Sequence, residues 1–466
     1  MSRLIVVSNR VQAPKGQSAG NQGGLAVALT AALRETAGIW FGWSGETIES
    51  FTGEIDFQTH DGVTTATIDL EEQDVEEYYN GYANRTLWPL FHYRVDLAEY
   101  ERSFAGGYQR VNGRFAELLA PLIEPDDLIW VHDYHMIPLG EELRRHGIAN
   151  RIGFFLHIPW PPQSLLMSLP DHRELVRSLF AYEVIGFQTE DSLENFRHYI
   201  LNEIGGEVFE DGTIRVDGRT VQAISCPIGI DTAQFKAAAE TGTARYTAYR
   251  MRQSAVGRDM IVGVDRLDYS KGLHERFLGY ERFLAANPML HGEVFLLQIA
   301  PPSRSDVQSY QEIRATLDGL SGRINGAFAD LDWVPIRYVN RGYGRDQLAG
   351  IYRSARIGLI TPLRDGMNLV AKEYVAAQDP ENPGVLILSH FAGAAAQLSD
   401  ALLVNPHSAE ELSDAIQQAL TMPRDERIAR WRKLMDNVER EDVMWWLNRF
   451  TAALTGRPQP VVTASD

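Results

Sequence analysis

MIVGVDRLDYSKGLHERFLGYERF (residues 260–283) is the stretch whose reading decides the fold: an apolar run, a polar turn from Asp265 to Gly272, then a helical pattern. Met260–Val264 predicts a strand covered on both faces, and Leu273–Phe283 predicts the helix that follows it. The turn puts Arg266 and Lys271 beside Gly272 where a strand hands over to a helix. Two cations in that position suit a leaving diphosphate; a plain surface pair of Lys271 with Asp268 is the ordinary alternative.

The same alternation runs along the whole chain. Ahead of it, strands are expected at Leu4–Ser8, Thr65–Leu70, Leu128–His132, Ile152–His157, Val184–Gln188 and Val221–Pro227. Behind it they are expected at Val294–Ile299, Ile336–Val339, Ile357–Thr361, Val385–Ser389 and Leu402–Val404. Helical patterns such as Leu25–Glu35, Asp306–Leu317, Gln347–Ser354 and Ala409–Leu420 lie between them. This is the α/β class, with doubly wound parallel sheets. At 466 residues the chain needs two large domains. The boundary is expected near 235, giving domains at 1–235 and 236–440. A terminal helix is expected at about 441–456, where Met444, Trp445, Trp446, Phe450 and Leu454 at near-helical spacing should pack onto the rest of the chain, and 457–466 reads as a disordered tail. In such sheets ligands sit outside the carboxyl ends of the strands, so the residues after each strand are the ones to inspect.

Composition removes several classes of function. Hydrophobic residues at 44% and charged residues at 23% argue for a packed globular chain. A formal net charge of −18 disfavours nucleic acid and anionic membrane as partners, so any phosphate must be gripped by a few local cations. One cysteine, Cys226, excludes an intrachain disulfide and reads as a buried, inert thiol. Without a signal peptide or membrane-length apolar run, a soluble cytoplasmic chain is expected.

Four further segments carry chemistry. After the first strand come Asn9 and Arg10, then Gly23 and Gly24 at a helix start, where free N–H groups can approach an anion. The dinucleotide fingerprint G-x-G-x-x-G is absent, which removes the main support for a nicotinamide enzyme. Val131-His132-Asp133-Tyr134-His135 ends another strand. It lacks the helical spacing or cysteine partners of a zinc site, so Asp133 reads as an acceptor for sugar hydroxyls. His157 occupies the same place on the next strand. Lastly, Pro362 to Glu373 follows the strand Ile357–Thr361. Gly366 to Leu369 should form the first turn of a helix that favours an anion, Asp365 should cap it or hold a sugar, and Glu373 suits a ribose diol. Arg304, after Val294–Ile299, and Arg10 are candidates for a separate phosphate. Trp40, Trp43, Tyr79 and Trp88 offer sugar-stacking faces, although core packing is the commoner fate of such rings.

Together the segments SNR, GGLAVAL, WFGWSGE, EYYNGYANRTLWP, WVHDYH, FFLHIP, RLDYSKG, QIAPPSR and PLRDGMNLVAKEYVAAQ resemble the trehalose-6-phosphate synthases, in order, from Met1 to about Asn448. The resemblance implies a GT-B fold, with two Rossmann-like domains facing across a cleft and the final helix crossing back to pack on the first. It implies retaining, metal-independent transfer of glucose from a nucleotide-glucose, UDP-glucose foremost, to glucose 6-phosphate. No cofactor is implied, and the expected partners are these small molecules and further copies of the chain.

Carried over by residue, the resemblance puts Arg266 and Lys271 on the donor diphosphate, and Asp365 with the N–H groups of Asn368 and Leu369 on glucose and diphosphate. Glu373 falls on the ribose, backbone around Val339 on the base, and Gly23 and Gly24 over the donor. His157 falls near the glucose O6. Arg10, Tyr79, Trp88 and Arg304 surround the acceptor phosphate, and Asp133 its ring. Relatives that use another acceptor, such as glucosylglycerol-phosphate synthases or pseudo-glycosyltransferases, share this frame. So would a silent regulatory subunit, but Arg266, Lys271, Asp365 and Glu373 are all present.

Overall fold

The computed structural model describes residues 2–11, 29–30, 33–34, 36–60, 62–303 and 308–456. Gly23, Gly24, Arg304 and the tail 457–466, together with most of the expected helix Leu25–Glu35, lie outside the described residues. The chain divides into two compact units: Met1–Pro227 with Met444–Asp466, and Ile228–Val443. The division falls before the boundary expected near 235, which lies inside a helix, Thr232–Ala239. Apolar sheet residues run up to Cys226, and the segment that follows belongs with the second unit. Thr232 Oγ1, for example, donates to the Val438 carbonyl at 3.0 Å.

The second unit is a six-stranded parallel sheet. Its strands are β11 (Asp259–Val264), β12 (Val294–Ile299), β13 (Ile336–Val339), β14 (Ile357–Ile360), β15 (Val385–Ser389) and β16 (Leu402–Val404). They lie in the order β13-β12-β11-β14-β15-β16, the dinucleotide-fold order, with its reversal between β11 and β14. Every residue of β12, β14 and β15 is buried, as expected for strands with helices on both faces. The helices Leu273–Ala286 and Ala409–Thr421 pack on one face through Phe277, Tyr280, Leu412 and Ile416.

The first unit has a ten-stranded sheet. Its parallel centre comprises β1 (Leu4–Arg10), β2 (Ile39–Ile48), β4 (Val63–Glu71), β5 (Leu128–His132), β6 (Ile152–Phe155), β7 (Val184–Phe187) and β10 (Arg219–Ser225), in the order β4-β2-β1-β5-β6-β7-β10. Antiparallel β3 (Asp56–His60) extends one edge, and β9 (Thr213–Val216) and β8 (Glu207–Val208) extend the other. The sequence gives no expectation for β2, β3, β8 or β9. All five residues of β3 are exposed, so it carries no buried-strand signal. Here the order reverses between β1 and β5.

The last helix, Val443–Thr455, belongs to this first core. The Phe450 ring stacks on Trp130 of β5 at 4.4 Å, and Trp446 lies 4.9 Å from Trp130. Gly153 and Gly186 make room for it, since a Cβ at either would sit less than 3 Å from the Phe450 ring. Cys226 is buried against the same helix, and burial pushes its thiol up to about 12, in keeping with an inert role. Among the described residues no helix is long and apolar enough to cross a membrane.

Candidate active site

Each unit presents polar residues where its strand order reverses. In the second unit the turn after β11 is built around Arg276, which sequence reasoning missed. Arg276 is fully buried, and its guanidinium donates to Asp265 Oδ2 at 2.7 Å, Gln298 Oε1 at 2.9 Å, Thr361 Oγ1 at 3.0 Å and the Lys271 carbonyl at 3.3 Å. One side chain thereby ties together the ends of β11, β12 and β14. Burial raises the Asp265 carboxyl, and Arg276 and then Lys271 oppose that rise. The available signal was a cation on the apolar face of the helix that begins at Leu273.

Lys271 closes the turn and pairs with Asp365, not with Asp268. Its Nζ lies 2.5 Å from Asp365 Oδ2. Asp268 is buried and occupied elsewhere, accepting from the Ser270 N–H at 2.9 Å and from the Tyr310 hydroxyl at 3.0 Å. Gly272 has φ +64°, and a Cβ there would meet the Thr361 carbonyl at 2.3 Å, so the backbone after β11 lies directly on the backbone after β14.

The helix after β14 starts later than expected, at Leu369, and Asn368 is its cap in place of Asp365. Asn368 takes φ 84°, accepts from the Ala371 N–H at 3.1 Å and donates from Nδ2 to Asp365 Oδ2 at 3.1 Å. The N–H groups of Leu369 and Val370 have no acceptor within the helix, as at any helix start. Asp365 is pinned on both sides of its backbone: its N–H donates to the Phe391 carbonyl, and its own carbonyl accepts from Gly393. Lys271, Asp365 and Asn368 therefore form one cluster. Glu373 lies one turn along the helix, where burial pushes its carboxyl up to about 7 against the pull of Arg345. Arg266 is exposed on the turn. Val339 ends β13, two strands from the reversal, with its carbonyl accepting from the Ala300 N–H at 2.8 Å.

In the first unit, Arg10 ends β1 with its guanidinium 5.3 Å over the Trp43 ring, against Gly45, where any side chain would collide with it. Trp43 meets Tyr79 edge-on at 5.4 Å, and Tyr79 stacks on His135 at 5.9 Å. His135 packs on Tyr134 at 4.0 Å, and Tyr134 on Trp88 at 5.7 Å. Arg10, Tyr79 and Trp88 thus belong to one chain of rings, with His135 as a buried link in it. Tyr79 comes from a π-type helix, Val75–Leu87, an irregularity that often marks function and that periodicity could not reveal. Trp40 and Trp43 are core side chains of β2, with indole N–H groups bonded to Ser8 and to the Glu46 carbonyl.

Asp133 follows β5 with φ 75° and ψ 167°, a conformation that side chains rarely tolerate. Its Oδ1 accepts the backbone N–H of His157 at 3.2 Å. The His157 ring is engaged on both sides, with Nε2 3.1 Å from His132 Nδ1 and Nδ1 3.3 Å from Gln188 Nε2. Burial holds His157 down at about 3, and burial and then His157 hold His132 well below the usual range. Burial thus favours the neutral form of both rings. Among the described residues no three His, Cys, Asp or Glu side chains are grouped to hold a metal ion.

The model of glycosyltransferase family 20 matches residues 2–456. The chain belongs to that family. It is 51% identical over 457 residues to the trehalose-6-phosphate synthase of Sinorhizobium fredii, covering 98% of each. Against that of Klebsiella pneumoniae the identity is 46%, covering 97% of this chain and 95% of the relative. Among solved structures, a UDP-forming alpha,alpha-trehalose-phosphate synthase from Burkholderia xenovorans in complex with glucose-6-phosphate is 49% identical. Its TM-score is 0.93, with 97% of this chain and all of the other covered. The Escherichia coli protein bound with UDP-2-fluoro glucose is 44% identical with a TM-score of 0.94, over 98% of this chain and all of the other. As a member of family 20 the chain is a glycosyltransferase, and its two doubly wound units are those of the GT-B fold.

Proposed function

We propose that this chain transfers the glucosyl group of UDP-glucose to glucose 6-phosphate, giving trehalose 6-phosphate and UDP. The observation that carries the reading is the Lys271–Asp365–Asn368 cluster at the strand reversal of the second unit, ahead of the helix that starts at Leu369. A cation, a carboxylate and a helix start in one place suit a sugar bonded to a diphosphate. Similar solved proteins support the two substrates: a UDP-forming synthase in complex with glucose-6-phosphate, and the Escherichia coli protein bound with UDP-2-fluoro glucose.

In this reading Arg266 and Lys271 hold the diphosphate, while Asp365 with the N–H groups of Asn368 and Leu369 holds the glucose and its phosphate. Glu373 takes the ribose diol, and backbone near Val339 takes the base. Arg10, Tyr79 and Trp88 receive the acceptor phosphate and Asp133 the acceptor ring, with Gly23, Gly24 and Arg304 completing the set. His157 acts as a fixed neutral group near the glucose O6. The acceptor's anomeric hydroxyl oxygen bonds to glucose C1 as the C1–phosphate oxygen bond breaks. The hydroxyl proton passes to the departing phosphate oxygen on the same face, so the α configuration is retained. Charge building on that oxygen falls to Arg266, Lys271 and the helix start, with no metal required; donors preorganised in this way are each worth about 2.7–4 kcal/mol.

Nucleoside diphosphate release from UDP-, GDP- and ADP-glucose, with and without glucose 6-phosphate and in EDTA, tests the reading together with product identification. Acceptor-dependent release yielding trehalose 6-phosphate, fastest with UDP-glucose, is expected. Release that ignores glucose 6-phosphate, or that stops in EDTA, overturns the acceptor or the metal-free step respectively.

A further inference from the structure

The second sheet has another end. At the amino ends of β11, β14 and β15, away from the residues discussed so far, Arg252, Arg353, Arg356 and Arg427 line a cavity of about 420 Å³ together with Asp259 and Asn382. The volume falls in the usual range of small-ligand pockets, roughly 300–1,000 Å³.

Four guanidinium groups are gathered there in a chain whose net charge is −18, and their partners leave most of that charge unmatched. Arg356 donates to the carbonyls of Leu420 and Met422, at 3.0 and 3.1 Å. Arg427, nine-tenths buried, donates to Asn382 Oδ1 at 2.8 Å and to the Pro383 carbonyl, and its Nε has no acceptor among the described residues. Among the described residues neither arginine is paired with a carboxylate at salt-bridge distance. Arg252 is exposed, with no ion pair among the described residues. Arg353 alone has a close acid, Glu240 at 2.7 Å, which does not line the cavity. Asp259 is the single carboxylate in the lining. Desolvation raises its pKa, and Arg356 and Arg427 oppose that rise. The Arg427 guanidinium is held below its ordinary range by burial and next by Arg356.

Like charges gathered around a cavity repel one another unless an anion joins them, and guanidinium forks fit phosphate oxygens best of all. We propose that this cavity binds a phosphate-bearing small molecule at the end of the second sheet opposite the catalytic candidates. Inorganic phosphate and a phosphate ester share the recognising chemistry, and the cavity's size favours the ester.

Calorimetric titration of the full chain with inorganic phosphate, and in parallel with glycerol 3-phosphate, tests this. Saturable binding is expected in the wild-type chain and in K271A, tighter for the ester. R252A removes an exposed side chain and spares the fold, while R427K keeps the charge but loses the fork. Each should weaken binding about tenfold or more, as for a lost charge-assisted hydrogen bond. Tighter binding of the free ion would keep the site and name inorganic phosphate as its ligand. Undiminished binding in both R252A and R427K, a loss shared equally by K271A, or no saturable binding at millimolar concentrations would overturn the proposal.

Discussion

Lys271 and Asp365 are 94 residues apart in sequence and 2.5 Å apart in space. One comes from the turn after β11 and the other from the turn after β14, the two strands between which the order of the sheet reverses. Their side chains are only 11% and 14% exposed. The ammonium is therefore held in place by its partner, and Arg276 fixes its backbone through the Lys271 carbonyl. In the proposed reading, a donor diphosphate draws Lys271 toward itself from an existing partner instead of ordering a loose side chain.

Lys271→Ala should lose at least about a hundredfold in turnover, the usual consequence of removing one preorganised group from a developing anion. Its circular dichroism and thermal melt should stay close to those of the wild-type chain, because the pair is not part of a hydrophobic core. Near-normal turnover, measured as UDP release, would mean that Lys271 is not on the leaving group.

Asp133 keeps its side chain at the price of a backbone conformation suited to glycine. Asp133→Gly relieves strain of about 1–3 kcal/mol and gives up one hydrogen bond to the His157 N–H, worth about 1 kcal/mol. The variant should melt at or above the wild-type temperature while its apparent KM for glucose 6-phosphate rises and its turnover falls. A variant that melts much lower with unchanged kinetics would make Asp133 a structural residue.

Glu373 should impose a pH dependence on donor binding. Its folded pKa of about 7 lies above the unfolded carboxylate value of about 4.3. Its contribution to stability is thus complete below about pH 4.3 and is lost as the pH rises through 7. The ionised form accepts hydroxyl hydrogens, so UDP-glucose affinity should increase as the pH rises through about 7. Glu373→Gln should flatten that profile. Lys372, held down to about 7 by burial, acts in the opposite sense, its contribution being lost as the pH falls through 7. Comparing the stability of the E373Q variant with wild type across pH 5–8 isolates the carboxyl.

Phe450→Ala should cost about 3–5 kcal/mol, the range for emptying a buried aromatic site. Phe450 is fully buried and stacked on Trp130. Urea unfolding followed by tryptophan fluorescence should show the midpoint of the first unit falling while the second unit keeps its own. A change confined to the second unit would misplace the final helix.

Much of this was legible because the parallel strands are buried on both faces and the chemistry follows their carboxyl ends. Met260–Val264 and Ile357–Thr361 announce themselves, and Lys271 and Asp365 follow them directly. Whatever depends on distant partners was not legible. A plain surface pair would join Lys271 to Asp268, but the Asp268 carboxylate is taken up by the Tyr310 hydroxyl, from a helix further along the chain. Asp365 looked like a cap, but its backbone is held by Phe391 and Gly393, which moves capping to Asn368. Trp40 and Trp43 read as rings for a sugar, but Gly38, Gly42 and Gly45 interrupt the apolar run that would mark β2 as a strand. The π-type helix carrying Tyr79 follows neither of the periods that a sequence can be scanned for.

The stacking of Phe450 on Trp130 also sets an order of events at the ribosome. Trp130 emerges early, but the ring that covers it is made only after the whole segment Ile228–Val443 has been synthesised. That interval is roughly 200 residues, on the order of 10–40 s at about 5–20 residues per second. For that time the nascent first sheet carries an uncovered aromatic face beside Gly153 and Gly186, while the second unit is still being synthesised. A chaperone that shields aromatic surface would have its longest opportunity on the half of the molecule that is translated first.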